Sequence, residues 1–285
     1  MSGVDAPRCS DASRAAGEPL AGTAVTATSW LLLEVTGGWP RDVSDAAALP
    51  ADAPDAVSSW LARKRPSRLL FVRRPGRAGD RPFAFAVRAE ESVAEVRRFE
   101  LESLDALGST DLDAGGDPVQ APLVLVCGHG SRDRCCARRG GSVFAALAPE
   151  LDDEALWLSS HQGGHRFAGN VLVLPSGIQL GRIDAEDAVA LTARALDGRI
   201  ELDRYRGRTC FEQPVQAAEH ALRVELGLDE VGALRFVAAD GPEIRFRTAD
   251  GVVHAVVVEE AEGPRVPASC GADPEPQRAF EVRLA

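Results

Sequence analysis

The sequence predicts an α/β protein, on three observations. Short apolar runs of strand length recur along the chain ("TSWLLLEV", "RLLFVRR", "PLVLVC", "NVLVLP"). Amphipathic stretches of helical length, such as "APDAVSSWLARK" and "DAEDAVALTARAL", are interleaved among them, and Pro, Gly and Asp punctuate the joins. With 285 residues, 45% of them hydrophobic, the chain can bury the core of one large or two ordinary domains.

Residues 1–24 are small and polar and read as an irregular lead-in. A buried strand follows at 28–35, then a helix at 53–64 with Asp55 near its start, and two strands flank the turn "PGRAGD". The charges of "SVAEVRRFEL" (92–101) leave helix and strand both open, and the Gly- and Asp-rich stretch 107–121 reads as a linker. A second unit starts with a strand at 122–127 and continues with a helix near 139–149 and a strand at 154–159. The hairpin "NVLVLP"/"IQLGRI" and a helix at 184–196, with Asp184 as N-cap, complete it. This order resembles a thioredoxin-like layer, of which the first half reads as a degenerate copy. Beyond 200, a helix at 214–227 and strands at 233–238, 243–248, 252–259 and in "AFEVRLA" predict a small antiparallel sheet. The expected division is an N-terminal α/β region (1–120), a central domain (121–200) and a C-terminal helix with a sheet (201–285).

Composition narrows the function. A formal charge of −11 disfavours nucleic-acid binding, which needs a basic footprint. No apolar stretch approaches the roughly 18 residues that span a bilayer, and the first residues lack the apolar core of a signal peptide, so a cytoplasmic protein without membrane contact is expected. Six cysteines are too sparse for a disulfide scaffold and are expected as thiols or metal ligands. The chain has no G-x-S-x-G elbow, Walker A loop or dinucleotide fingerprint, and no carboxylate pair is singled out for glycoside hydrolysis.

The chemistry concentrates in one stretch. Cys127 ends a strand, Cys135 and Cys136 follow in the turn before a helix, and His161 and His165 flank Gly163 and Gly164 in the next strand-ending loop. Loops at the same strand ends converge in an α/β layer, so thiolates and imidazoles should meet. Two of each suit tetrahedral zinc, or a 2Fe-2S cluster in which two His replace two Cys. Vicinal Cys135 and Cys136 also admit a thiol oxidoreductase, because nearby arginines and a helix N-terminus lower a thiol pKa. His129, Arg132, Arg134 and Arg166 are expected around the site, and Arg132, Arg134, Arg138 and Arg139 against Asp133 form a local basic rim. His220 and His254 read as packing or surface residues, and Cys9, Cys210 and Cys270 as isolated thiols.

"CGHGSRDRCC" and "HQGGHRFAGNVLVLPSGIQLGRID", with "CSDASRAAGEPLAGTA" near the N-terminus, strongly resemble the sucrase/ferredoxin-like family. The resemblance implies a thioredoxin-like ferredoxin core holding a 2Fe-2S cluster. It implies two cysteine ligands separated by eight residues, matched by Cys127 and Cys136, and two histidines separated by three, matched by His161 and His165. The thioredoxin-like ferredoxins proper carry a cysteine pair where this chain has the histidines. Cys135 stands as the alternative to Cys136, which the spacing favours. With two imidazoles on one iron and two thiolates on the other, the reduction potential should lie above that of all-cysteine ferredoxins. The expected function is a one-electron carrier or redox sensor, rather than an enzyme in its own right, served by a flavin or ferredoxin reductase. The alternatives are a structural zinc module and a thiol oxidoreductase.

Overall fold

A computed structural model describes residues 8–43, 49–50, 53–76 and 81–284. The elements in chain order are α1 (Cys9–Ala15), β1 (Ser29–Glu34), α2 (Ala53–Arg63), β2 (Ser67–Arg73), β3 (Phe83–Ala89), β4 (Ala94–Glu100) and β5 (Asp117–Pro118). Then come β6 (Leu123–Cys127), α3 (Arg134–Leu147), β7 (Leu156–Ser159), β8 (Val171–Leu174), β9 (Ile178–Leu180), α4 (Ala188–Leu196) and β10 (Tyr205–Arg208). The chain closes with α5 (Gln213–Leu226), β11 (Leu234–Asp240), β12 (Glu243–Thr248), β13 (Val253–Pro267) and β14 (Pro274–Leu284). Among the described residues no helix is long and apolar enough to cross a membrane.

Ten strands form one mixed sheet in the order β10-β9-β8-β6-β7-β2-β1-β3-β4-β5. In the second half β6 runs parallel to β7 and antiparallel to β8, which pairs with β9. In the first half β1 runs parallel to β2 and antiparallel to β3, which pairs with β4. Both halves therefore run β-α-β-β-β with one strand order. They meet where β2 and β7 pair antiparallel through Val72–Ser159 and Arg73–Leu158.

The pleat explains why the strands read as continuous apolar runs: side chains alternate between faces, and here both faces are covered. Leu31 and Leu33 of β1 pack with Val57 and Trp60 of α2, whereas Trp30 and Leu32 point to the other side. Val124 and Val126 of β6 likewise meet Val143 and Leu147 of α3, while Leu123 and Leu125 turn to the opposite face. The two opposite faces share one cluster around Trp30, Phe85 and Trp157, so the sheet curls and its halves pack on each other. The C-terminal sheet, ordered β11-β12-β13-β14, lays Phe246 and Val256 against Ala218 and Leu222 of α5. Within α5 the buried Arg223 and Glu219 pair at 2.9 Å, and the Tyr205 hydroxyl donates to Glu219 at 2.7 Å.

Several local expectations are corrected. The lead-in, whose first seven residues lie outside the described ones, contains the helix α1, with Asp11 in its first turn and Arg14 in its last, where each complements the helix dipole. The last four residues of the turn "PGRAGD" also lie outside. The ambiguous 92–101 segment is a strand, because it pairs along all of β3, and the expected linker contributes β5 to the edge of β4. Helix α3 begins at Arg134 rather than near 139, since the Asp133 carboxylate caps it by accepting the Cys135 amide at 2.8 Å. Helix α4 starts after Asp187 instead of Asp184, whose carboxylate is held by Arg14 and Arg139 at 2.9 Å each. Strand β10 carried no signal in the sequence, because two of its four buried residues are arginines.

Two adjacent glycines of α3 test this packing. A Cβ at Gly140 would land on the Cys127 carbonyl oxygen, whereas one at Gly141 meets nothing within 4 Å. Gly141→Ala should raise stability by about 1 kcal/mol through helix propensity alone. Gly140→Ala should lower the melting temperature instead. Thermal unfolding of the two variants side by side checks the pair.

Candidate metal centre

The centre forms where β6 ends and α3 begins. Cys127 is the last residue of β6, and its amide donates to the Asn170 carbonyl at 3.0 Å. The Asp133 cap puts Cys135 and Cys136 in the first turn of α3, not in the turn before it. Consecutive helical residues point about 100° apart, so the two thiols face different neighbours. Cys136 turns toward Cys127 and His161, and the two Sγ atoms and a His161 ring nitrogen all lie within 4.8 Å of one another. The Cys136 Sγ is 3.8 Å from His161 Nδ1.

His165 stands beside this trio rather than within it. Its ring is 4.9 Å from that of His161, centroid to centroid, and its buried Nδ1 has no hydrogen-bond partner among the described residues. The paired glycines between the histidines are required by the backbone: Gly163 and Gly164 have φ of 92° and 70°, a region that side chains disfavour. Arg206, which sequence reasoning missed, fixes this loop from below. It is buried in β10 and donates to the Gly163 carbonyl at 3.0 Å, to Asn170 Oδ1 at 2.9 Å and to the Thr23 carbonyl. Burial pushes its pKa down to about 9. A Cβ at Gly164 would press on this guanidinium at 2.6 Å.

Protonation favours ligation. A hydrogen bond from Cys136, reinforced by His161, holds the Cys127 thiol well below its ordinary value, while the same pairing pushes Cys136 up. Within the pair the thiolate is favoured at Cys127 and the thiol at Cys136. Burial, with His161 alongside, holds His165 below the usual histidine value and so keeps the ring neutral, the form that binds metals. Two thiols and two imidazoles with one orphaned buried nitrogen form a donor set of the kind that accepts a metal group.

The surrounding residues divide. His129 accepts the His161 amide on Nδ1 at 3.1 Å and donates from Nε2 to the Pro40 carbonyl at 2.8 Å, so it orients the backbone of His161. Arg132, Arg134 and Arg138 line a cleft with Arg8 and Arg41. Arg139 leaves the expected rim, turning to Asp11 at 2.7 Å and to Asp184. Arg166 donates to the buried Glu18 at 2.6 Å, and Arg166, Arg182 and Arg206 all lie over the Phe167 ring. His220 packs on Tyr205. Cys210 is partly buried, its thiol pushed up to about 11 by desolvation. Cys9 and Cys270 are not isolated: both meet Cys135. Hydrogen bonds from Cys9 and then Ser10 hold Cys135 down to about 6, and the bond to Cys135 with burial pushes Cys9 far up. Nothing in the spacing of positions 9, 135 and 270 announces their meeting.

The fold and centre define a mixed α/β protein with buried thiols and half-buried imidazoles gathered at its strand ends. The chain belongs to the sucrase/ferredoxin-like family, whose model matches residues 20–207. It is similar to proteins named Altered inheritance of mitochondria protein 32. The protein from Clavispora lusitaniae is 35% identical over 100 residues, covering 32% of this chain and 37% of the relative. Those from Meyerozyma guilliermondii and Saccharomyces kudriavzevii are 30% and 33% identical, over 38% and 32% of this chain and 42% and 34% of their own. The match thus spans about two fifths or less of these relatives. No solved structure matches the chain. The expectation of a one-electron carrier or redox sensor is corrected by these comparisons: the relatives are named for the inheritance of mitochondria, and neither that name nor the family match shows electron transfer.

The Glu18–Arg166 pair anchors the histidine loop to the N-terminal segment. Glu18 is 2% exposed and also accepts the Ser13 hydroxyl at 2.6 Å, while Arg166 keeps 18% exposure. Glu18→Ala should cost about 3 kcal/mol, the low end for breaking a buried pair, because Arg166 reaches solvent. Urea unfolding measures it, and a loss under 1 kcal/mol, the range of an exposed pair, contradicts the anchor.

Proposed function

We propose that the protein binds a metal cofactor, a 2Fe-2S cluster, through Cys127, Cys136, His161 and His165. The reading is supported above all by the convergence of the Cys127 and Cys136 sulfurs with a His161 nitrogen, beside the orphaned Nδ1 of His165. In this reading the chain's own residues do three things. Cys127, held toward the thiolate, and Cys136 would supply the anionic ligands. His161 and His165 would supply neutral donors, and His129 and Arg206 hold the loop that carries them. The curled sheet and the first turn of α3 exclude water from the sulfurs, both of which are 1% exposed.

The strand order β9-β8-β6-β7, with β6 and β7 parallel and β8 and β9 antiparallel, supports reading 121–200 as a thioredoxin-like unit in which a loop takes the place of the second helix. The same order in 1–120 supports reading that region as its degenerate copy.

A second reading, zinc at the same residues, is favoured by the compactness of the trio. Donors within 4.8 Å of one another can gather around a single ion. Iron, sulfide and zinc assays on protein purified without oxygen separate the two. The cluster gives a coloured protein with about two iron and two sulfide per chain. His161→Ala and Cys136→Ser should each remove most of both, and Cys210→Ser neither. Colourless protein whose zinc falls by one equivalent in His161→Ala overturns the cluster and supports zinc; iron retained in both ligand variants overturns the site.

A further inference from the structure

A second group of sulfurs lies on the other side of the first turn of α3. The Sγ atoms of Cys9 and Cys135 are 3.6 Å apart, those of Cys9 and Cys270 3.6 Å, and those of Cys135 and Cys270 3.3 Å. A carboxylate oxygen of Asp133 is 3.3 Å from the Cys270 sulfur and 3.8 Å from that of Cys9. All four donors lie within 4.8 Å of one another. We propose that Cys9, Cys135, Cys270 and Asp133 form a site for a single zinc ion, separate from the centre at Cys127 and independent of what that centre holds.

Spacing is the first argument. Tetrahedral zinc with bonds of about 2.3 Å to sulfur sets its thiolates about 3.8 Å apart, close to the separations here. A cluster, whose ligands sit on separate metal atoms, spreads them wider. Number is the second. A disulfide would use two of three mutually touching thiols and strand the third against it, whereas one ion satisfies all three.

Provenance is the third argument. Cys9 opens α1, Cys135 lies in α3, and Cys270 sits in the loop between β13 and β14, so segments from both ends of the chain reach the core at one point. The outer contacts are those of a metal site. The Cys135 and Cys270 amides each donate to Asp133 at 2.8 Å and fix its carboxylate, and the Ser10 hydroxyl donates to the Cys135 sulfur at 3.2 Å. Three thiolates and a carboxylate leave two negative charges in excess of the ion. The positive end of α3 and the arginine cleft that opens beside Asp133 and Cys270 offset them. The cleft, of about 490 Å³, gives the ion a way in.

Zinc bound there ties α1 and the β13–β14 loop to the core, and binding of this kind is folding free energy. The test is zinc content and thermal unfolding of the full chain, purified under reducing conditions with and without a chelator. One zinc per chain is expected at this site, with a lower melting temperature once it is stripped. Cys270→Ser and Cys9→Ser should each lose that one equivalent while keeping whatever iron and sulfide the wild type carries. His161→Ala should keep it. Cys270 lies in a partly exposed loop, so its variant reports even if Cys9→Ser fails to fold. Wild-type protein that neither contains zinc nor takes it up when zinc is added overturns the proposal, as does full zinc retention in Cys270→Ser. Loss of iron from the His161 variant alone bears on the other centre and leaves this one standing.

Discussion

Everything at the candidate centre depends on how closely α3 lies on β6. The helix can approach until its backbone touches the Cys127 carbonyl only because residue 140 has no side chain. That contact brings the end of the strand against the start of the helix, and with it the Cys127 sulfur against that of Cys136. Asp133 then fixes where the helix starts, and so which way each of the two consecutive cysteines faces. A wider helix-to-strand spacing would leave the same residues in place in the sequence and too far apart in space to share a ligand.

The first half of the sheet carries no comparable donors, yet it is part of the site. The segment after β1 supplies the Pro40 carbonyl that fixes the tautomer of His129, and Trp39 sets its ring edge-on to that imidazole at 5.6 Å. His129 in turn holds the His161 amide. A duplicated topology has thus been divided between a half that bears the donors and a half that walls them in.

Much of this was legible in the sequence because its signals are local. Continuous apolar runs mark β1 and β6 as buried strands, and Gly163 with Gly164 marks a loop because two glycines weaken a helix. The meeting of Cys127, Cys136 and His161 follows from strand ends that share one edge of the layer. What could not be read depends on long-range pairing. The start of α3 was placed too late because the signal for it is a single aspartate amid charged residues. Cys9 and Cys270 looked solitary, since nothing local records that α1 and the β13–β14 loop fold back to Cys135. Arg206 carried no sequence signal of its own, although it is buried beneath the histidine loop.

The dipeptide Cys135–Cys136 has a wider consequence. Three of the other four cysteines crowd around it, and the winding of one helical turn keeps Cys136 with Cys127 and Cys135 with Cys9 and Cys270. That turn works as an insulator between two pools of thiol chemistry. Unwinding it would merge them. The separation of the two groups therefore rests on a rotation of about 100° between neighbouring residues.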